Sequence, residues 1–408
     1  MKLLIYARDW APSVGGVQTV TKTLADGIAD WSRKHDEEAI EVTLLTQTPA
    51  GNMNDSQLPY RVMRNPDFVD FIREIRKADV IHLAGPTLLP LIIGYLLCKP
   101  TIVEHHGYQA NCPNGLLLFE PDHTVCPGHF MAGNYRKCVE CNTRRLRWFG
   151  SARSLLYTFI RRWLCHRVAR NIAITDHLEM RVKLPRTCRI YYGVPDGGMR
   201  LSHAPNSGRR LEIGYVGRLV QEKGLPVLLK AAKQLDNTGV DFHLTFVGDG
   251  PQQVELKAIS DKLSLNEMVI FTGDLRGADL DKALRAIQIV VMPSEWEETA
   301  GLAAIEQMMS GGAVIVANIG GLAEVVGEVA LKFAPGNSEE LSLYLRMVAK
   351  DRRKIEELGS MARVRALKEF SIDRFIMQHV ALYQQLQKAV PPKEHVKAES
   401  RQDADAGD

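Results

Sequence analysis

The apolar run Ile289-Val290-Val291-Met292 reads as a strand buried on both faces, and Leu302 to Ser310, rich in Ala, Leu, Glu and Met, reads as a helix. A buried strand that hands over to a helix demands a parallel sheet covered on both sides. The connection, Pro293-Ser294-Glu295-Trp296-Glu297-Glu298-Thr299-Ala300-Gly301, is acidic. In open α/β sheets ligands collect beyond the carboxyl ends of the strands, where a helix N-terminus offers unpaired N–H groups and a positive dipole end.

With Glu298 just before the helix and Glu306 inside it, two carboxylates eight residues apart can reach the two ends of one long polar ligand, such as a nucleotide sugar. A solvated acidic first turn that complements the helix dipole accounts for the same residues. The next strand, Ala313 to Ala317, ends in Asn318-Ile319-Gly320-Gly321-Leu322-Ala323-Glu324, a second glycine turn opening a short helix. Two adjacent turns thus carry ligand-type chemistry.

The same alternation runs through the whole chain. Strands are predicted at Lys2 to Ala7, Ile40 to Thr46, Tyr60 to Arg64, Val80 to Leu83, Thr101 to Glu104, Asn171 to Thr175 and Arg189 to Tyr192, with helices at Thr19 to Trp31, Asp67 to Lys77 and Leu88 to Leu97. A turn-rich, apolar-poor stretch at 195–210 marks a linker, after which alternation restarts at Leu211. The predicted organisation is an N-terminal α/β domain over 1–194 with a cysteine-rich insertion at about 108–145, a second α/β domain over 211–375, a closing helix at 376–390 and a charged, disordered tail at 391–408.

Several residues carry chemistry at strand ends. Gly15 and Gly16 follow the first strand, either as a plain turn or as a loop whose N–H groups approach a phosphate. Arg218 and Lys223, set between Gly217 and Gly224, are surface cations or a diphosphate clamp, the first supplying a planar fork and the second a mobile point charge. His105 and His106 close the strand beginning at Thr101. The spacing Cys112-x13-Cys126-x11-Cys138-x2-Cys141 suits a structural Zn2+ with four protein ligands and no open position; unligated, reduced thiols are the other reading. Between Arg144 and Arg170 eight arginines alternate with Trp148, Phe149, Tyr157, Phe159, Trp163 and several leucines. That stretch fits contact with an anionic membrane surface or a phosphorylated acceptor, and equally a packed helix with a solvated arginine face.

The run Glu298-x7-Glu306 with Gly301 and Gly311, followed by Gly320-Gly321-x-x-Glu324, resembles the signature of the retaining, nucleotide-sugar-dependent glycosyltransferases of family 4. Gly217-Arg218-Leu219-x3-Lys223-Gly224, the Gly15-Gly16 loop and His106 resemble that family too, so the likeness covers nearly the whole chain. It implies a GT-B fold, two doubly wound Rossmann-like domains facing across a cleft. It further implies that Glu306 holds the ribose and that Arg218 and Lys223 neutralise the diphosphate. On the same resemblance Glu298, with Thr299, Ala300, Gly301 and Leu302, meets the sugar, while His106 and the Gly15-Gly16 loop close from the first domain. The base is read near Gly273 to Leu275, and the closing helix returns to the first domain. No metal is implied in catalysis, and anomeric configuration is retained. Some members of the family carry similar cysteine loops. Gly107 stands where an Asp is common, and Ala313 where a proline is common.

The formal charge of +3 gives no polyelectrolyte argument for nucleic acid as a partner. The most apolar run, Leu88 to Cys98, contains Pro90 and Gly94 and falls short of the roughly 20 residues of a membrane span. With no signal segment recognised at Met1 to Asp9, the expected setting is the cytoplasm, with peripheral contact at the inner face of a membrane through 144–170. The expected partners are a nucleoside-diphosphate sugar and a sugar or lipid-linked acceptor. Rival readings are a nicotinamide oxidoreductase, which lacks its Gly-x-Gly-x-x-Gly turn here, a non-catalytic nucleotide-sugar-binding protein, and a zinc-dependent nucleic-acid binder that leaves Glu298 and Glu306 unexplained.

Overall fold

The computed structural model describes residues 1–199 and 210–389, so most of the predicted linker and the whole predicted tail lie outside the described residues. The chain begins with β1 (Lys2–Ala7), α1 (Gly16–Lys34), β2 (Glu41–Thr46), β3 (Arg61–Arg64), α2 (Phe68–Lys77), β4 (Val80–Leu83), α3 (Leu88–Leu96) and β5 (Thr101–His105). A small antiparallel hairpin, β6 (Leu118–Phe119) with β7 (Thr124–Val125), precedes α4 (Tyr135–Cys165), β8 (Arg170–Ala173), α5 (Asp176–Val182) and β9 (Thr187–Arg189). The large strands form one parallel sheet of order β3-β2-β1-β4-β5-β8-β9.

The second half supplies β10 (Leu211–Val216), α6 (Leu225–Asp236), β11 (Phe242–Val247), α7 (Gln253–Lys262), β12 (Val269–Gly273), α8 (Gly277–Ala286), β13 (Ile289–Met292), α9 (Leu302–Met309), β14 (Ala313–Ala317), α10 (Gly320–Val326) and β15 (Leu331–Phe333). These strands form a second parallel sheet, β12-β11-β10-β13-β14-β15. Three helices follow: α11 (Ser338–Lys350), α12 (Arg353–Glu369) and α13 (Ile372–Ala389). The central strands β4, β13 and β14 bury every residue because helices cover both faces, which is why they read as continuous apolar runs.

Helix α13 crosses back and packs on α1 and β4 of the first domain. It begins at Ile372, a turn earlier than predicted, because Ser371 bridges to Val194 and fixes the start of the return. Strand β9 ends at Arg189 rather than running to Tyr192: the two tyrosines leave the sheet edge to pack elsewhere, Tyr191 edge-on against Phe370 and Tyr192 stacked on His106.

The cysteine region also differs from its predicted boundary. Cys138 and Cys141 lie in the first turns of α4, not in a loop, since an i,i+3 spacing puts both on one helical face. That helix runs on through the basic stretch, interrupted by a kink at Arg147, whose φ is 55°. Among the described residues no helix is long and apolar enough to cross a membrane.

Candidate active site

Two glycine features build the turn between β13 and α9. Gly224 has φ 64°, and a Cβ there would collide with the Pro293 carbonyl, so the chain around Lys223 can lie flat on the turn only without a side chain at 224. On the other side a Cβ at Gly320 would sit 2.7 Å from the Glu298 carbonyl oxygen, and one at Gly321 would strike Thr299. The Gly321 N–H instead donates to the Glu298 carbonyl at 2.6 Å. Backbone from both neighbouring strand ends thus clamps the acidic turn.

The clamp brings Lys223 to Glu298. Lys223 Nζ lies 2.8 Å from Glu298 Oε1, and Ser294 Oγ donates to the same oxygen. Both ends of the ion pair are largely buried, with side-chain exposures of 18% and 8%. Gly301, at φ 76°, caps α9, Ala300 is buried beside it, and Leu302 opens the helix. Glu306 follows one turn later, half-buried. A Cβ on Gly16 would lie 3.7 Å from Leu302 Cδ2, so the first-domain loop faces the start of α9. Gly273, at φ 74°, ends β12 and bridges to Gly248, with Leu275 packed just beyond it. Arg218 does not join the buried pair; its side chain is 72% exposed, 3.8 Å from Glu222.

The first domain meets this turn through several direct bonds. Thr299 Oγ1 donates to the His106 carbonyl at 3.0 Å, and Thr175 Oγ1 donates to the Thr299 carbonyl at 2.7 Å. Tyr108 Oη donates to the Glu297 carbonyl at 2.9 Å, and Trp296 Nε1 donates to the Leu116 carbonyl. Arg181 Nε is 2.9 Å from Glu297 Oε2. Burial pushes the Glu297 carboxyl up, but the ion-pair contacts with His177, 3.6 Å away, and Arg181 together outweigh it and hold the group below its ordinary range. Glu324 reaches across as well, accepting from the N–H groups of Asp176 and His177 at 2.8 and 2.7 Å and from Tyr191 Oη at 2.8 Å.

The His106 ring is buried, with Nδ1 2.8 Å from Tyr192 Oη. Burial drives its pKa down to about 4 despite the pull of Glu104, so the ring is neutral at ordinary pH. Cys112, Cys126, Cys138 and Cys141 are all buried and free of disulfides. Burial pushes the Cys138 and Cys141 thiols up to about 12 and about 11, with further upward contributions from the neighbouring cysteines. Asn114 Nδ2 and the Glu120 N–H both point at Cys141 Sγ, at 3.3 and 3.4 Å. No three of the four sulfurs lie within 4.8 Å of one another.

Ser294, Tyr108, Tyr192 and Arg181 were not singled out from sequence. Glu324 was part of the glycine-turn motif, but its partners on α5 are 147 and 148 residues away, a relation only the folded chain displays.

Two parallel sheets with a cleft turn between them make this a GT-B protein. Solved structures agree: Anabaena HepE in complex with UDP superposes with a TM-score of 0.68 at 18% identity, covering 94% of this chain and 100% of that one. A sucrose-phosphate synthase from Thermosynechococcus elongatus does so with 0.68 at 18% identity, covering 95% and 100%. At such identities the likeness establishes the fold. Residues 202–365 match the family model described as glycosyl transferases group 1. Among curated relatives, the 2-deoxystreptamine glucosyltransferase of Streptomyces kanamyceticus is 31% identical over 244 residues, 55% of this chain and 62% of that one. The GDP-mannose-dependent alpha-mannosyltransferase of Mycolicibacterium smegmatis is 25% identical over 350 residues, 80% and 82% of the two chains. The match thus spans less than two thirds of the first of these relatives.

Proposed function

We propose that this chain is a retaining glycosyltransferase of family 4 that moves a sugar from a nucleoside-diphosphate donor to an acceptor hydroxyl. The observation that carries the reading is the Lys223–Glu298 pair, held 2.8 Å apart in the turn before α9, whose first residue, Leu302, faces Gly16. Lys223 and the exposed Arg218 would offset the charge that builds on the departing diphosphate, which is where fixed cations lower a barrier most. Glu306 would accept from the ribose hydroxyls, and Glu298 with the backbone of Thr299 to Leu302 would hold the sugar. Gly273 and Leu275 would border the base. His106, neutral and buried, would bound the sugar from the first domain. The names of the HepE structures, which include UDP, UDP with glucose, and UDP-glucose, support a nucleotide-sugar donor.

A cavity at the carboxyl edge of the first sheet, lined by Arg8, Gln18, Gly85, Gln109, Tyr157 and Arg161, supports an acceptor site there. Beside it α3 and α4 expose Leu96, Trp148, Phe149, Leu156 and Trp163, with Arg167 stacked 3.7 Å over the Trp163 ring. That apolar and cationic face supports a lipid-linked acceptor met at an anionic membrane surface. Sedimentation with anionic, but not neutral, vesicles is the expected result, reversed by salt; equal behaviour with both would remove the membrane part of the reading. The four buried cysteines support a structural Zn2+ in the insertion, one that needs their sulfurs drawn closer together; absence of sulfur-bound zinc in purified protein would return them to plain reduced thiols.

The test of the activity is nucleoside diphosphate release from UDP-, GDP- and ADP-sugars by wild type and Arg218→Ala. Release from one donor that depends on Arg218 is expected. Silence across the panel, with and without acceptor extract, would overturn the transferase reading.

A further inference from the structure

Behind the cleft three histidines converge on one buried carboxylate. Glu104 comes from β5, His82 from β4, His106 from just after β5, and His379 from α13, the helix that crosses back. His82, Glu104 and His379 are no more than 1% exposed. Measured to Glu104 Oε2, His82 Nε2 is at 3.1 Å, His379 Nε2 at 3.8 Å and His106 Nε2 at 3.9 Å. Among the described residues, His82, Glu104 and His379 form the only group of three metal-type ligands whose atoms all lie within 4.8 Å of one another.

Each ring has its other nitrogen engaged by an oxygen. His82 Nδ1 is 2.9 Å from Tyr383 Oη, His106 Nδ1 is 2.8 Å from Tyr192 Oη, and His379 Nδ1 is 2.9 Å from the Phe375 carbonyl. A carbonyl can only accept, so His379 carries its proton on Nδ1 and, when neutral, turns a lone pair toward Glu104. Glu104 Oε1, His106 Nε2 and His379 Nε2 have no hydrogen-bond partner on the protein although all three are buried. Lone pairs facing a carboxylate in a dry interior repel, and each unpaired polar atom costs on the order of 1–3 kcal/mol. A cation between His82, Glu104 and His379 relieves the repulsion and gives His379 Nε2 a partner. Imidazoles with the distal nitrogen anchored to a carbonyl or hydroxyl are the arrangement that orients metal-bound histidines.

We infer that His82, Glu104 and His379 bind a divalent transition-metal ion, zinc by the chemistry of the donors. Two imidazole nitrogens and one carboxylate oxygen suit zinc, whereas magnesium and calcium want six or more oxygens. With all three ligands no more than 1% exposed, no substrate reaches the ion, so it is structural. It ties α13 to the middle of the first sheet and steadies the segment whose His106 carbonyl receives Thr299 Oγ1. The inference stands independently of the donor assignment, since it concerns atoms behind the cleft.

Zinc-edge X-ray absorption on the purified wild-type chain, with metal content measured in parallel, tests it directly. The expected result is at least one equivalent of zinc with a nitrogen and oxygen shell, and loss of one equivalent in Glu104→Gln and His379→Gln. A shell made of sulfur alone would assign the metal to the cysteines and overturn the inference. So would metal-free protein whose melting temperature does not rise on adding zinc, the outcome if a water or a shared proton fills the group. Should either variant fail to fold, the wild-type spectrum still decides.

Discussion

Lys223 Nζ and Glu298 Oε1 are 2.8 Å apart, although one residue follows the first strand of the second domain and the other follows its fourth in chain order. Their meeting depends on Gly224 lying flat against Pro293, and it sets a cation at the mouth of the turn. Lys223→Met leaves the Glu298 carboxylate buried without its partner, at a cost of about 3 kcal/mol, and should lower turnover about 100-fold. Adding Glu298→Gln should restore much of the stability and none of the turnover. Melting temperature and single-turnover rates on the two variants separate these effects; parallel recovery of both would make the pair purely structural.

The glycine pair at the start of α10 yields a contrasting prediction. Gly321→Ala drives a methyl group into Thr299 backbone and breaks the turn, so a loss of about 1–3 kcal/mol and of nucleotide protection is expected. Gly16→Ala meets only Leu302 Cδ2 at an ordinary 3.7 Å and should keep its stability. Thermal melts of both, with and without nucleoside diphosphate, check the difference.

Much of this site was legible in the sequence because it is local. The strands β1, β4, β13 and β14 have the bounds that their apolar runs suggested, and the acidic turn with Glu298 and Glu306 follows one of them directly. Long-range relations were not legible. Tyr383 meets His82 across 301 residues, and Glu104 meets His82 across 22, yet in the sequence each is one polar residue within an apolar strand or an amphipathic helix. Tyr191 and Tyr192 have the extended, aromatic look of a strand; Phe370 and His106 draw them off the sheet edge, and neither partner is near in sequence. Cys138-x2-Cys141 fits a loop and a helix equally, and the run of helix-forming residues after it settles the matter in the folded chain.

Glu324 links the domains by capping α5 of the first from α10 of the second. Glu324→Ala strands two backbone N–H groups and the Tyr191 hydroxyl, each bond to a charged acceptor being worth about 1.5–3 kcal/mol before water replaces it. Protease cleavage near the linker should become faster in the absence of nucleotide, and Glu324→Gln should recover part of the resistance. Unchanged cleavage rates would mean the capping bonds do not hold the domains together.

Glu297 gives the interface a pH dependence with a definite sign. Its carboxyl in the folded chain lies below the ordinary value of 4.5, because the ion-pair contacts with His177 and Arg181 overcome the effect of burial. A depressed folded pKa means that the stabilisation is fully present above the ordinary value and is lost as pH falls through the folded one. From pH 7 to pH 5 this group should therefore contribute a constant amount, and the loss should begin only below about 4.5. Glu297→Gln keeps the shape of the side chain but cannot titrate, so it should be less stable than wild type at pH 7. The gap between the two should close as the medium is acidified below the ordinary carboxylate value. Melting curves for both proteins at pH steps from 7 to 3 measure it; a gap that stays constant over the whole range would show that the Arg181 contact carries no net charge-dependent stabilisation.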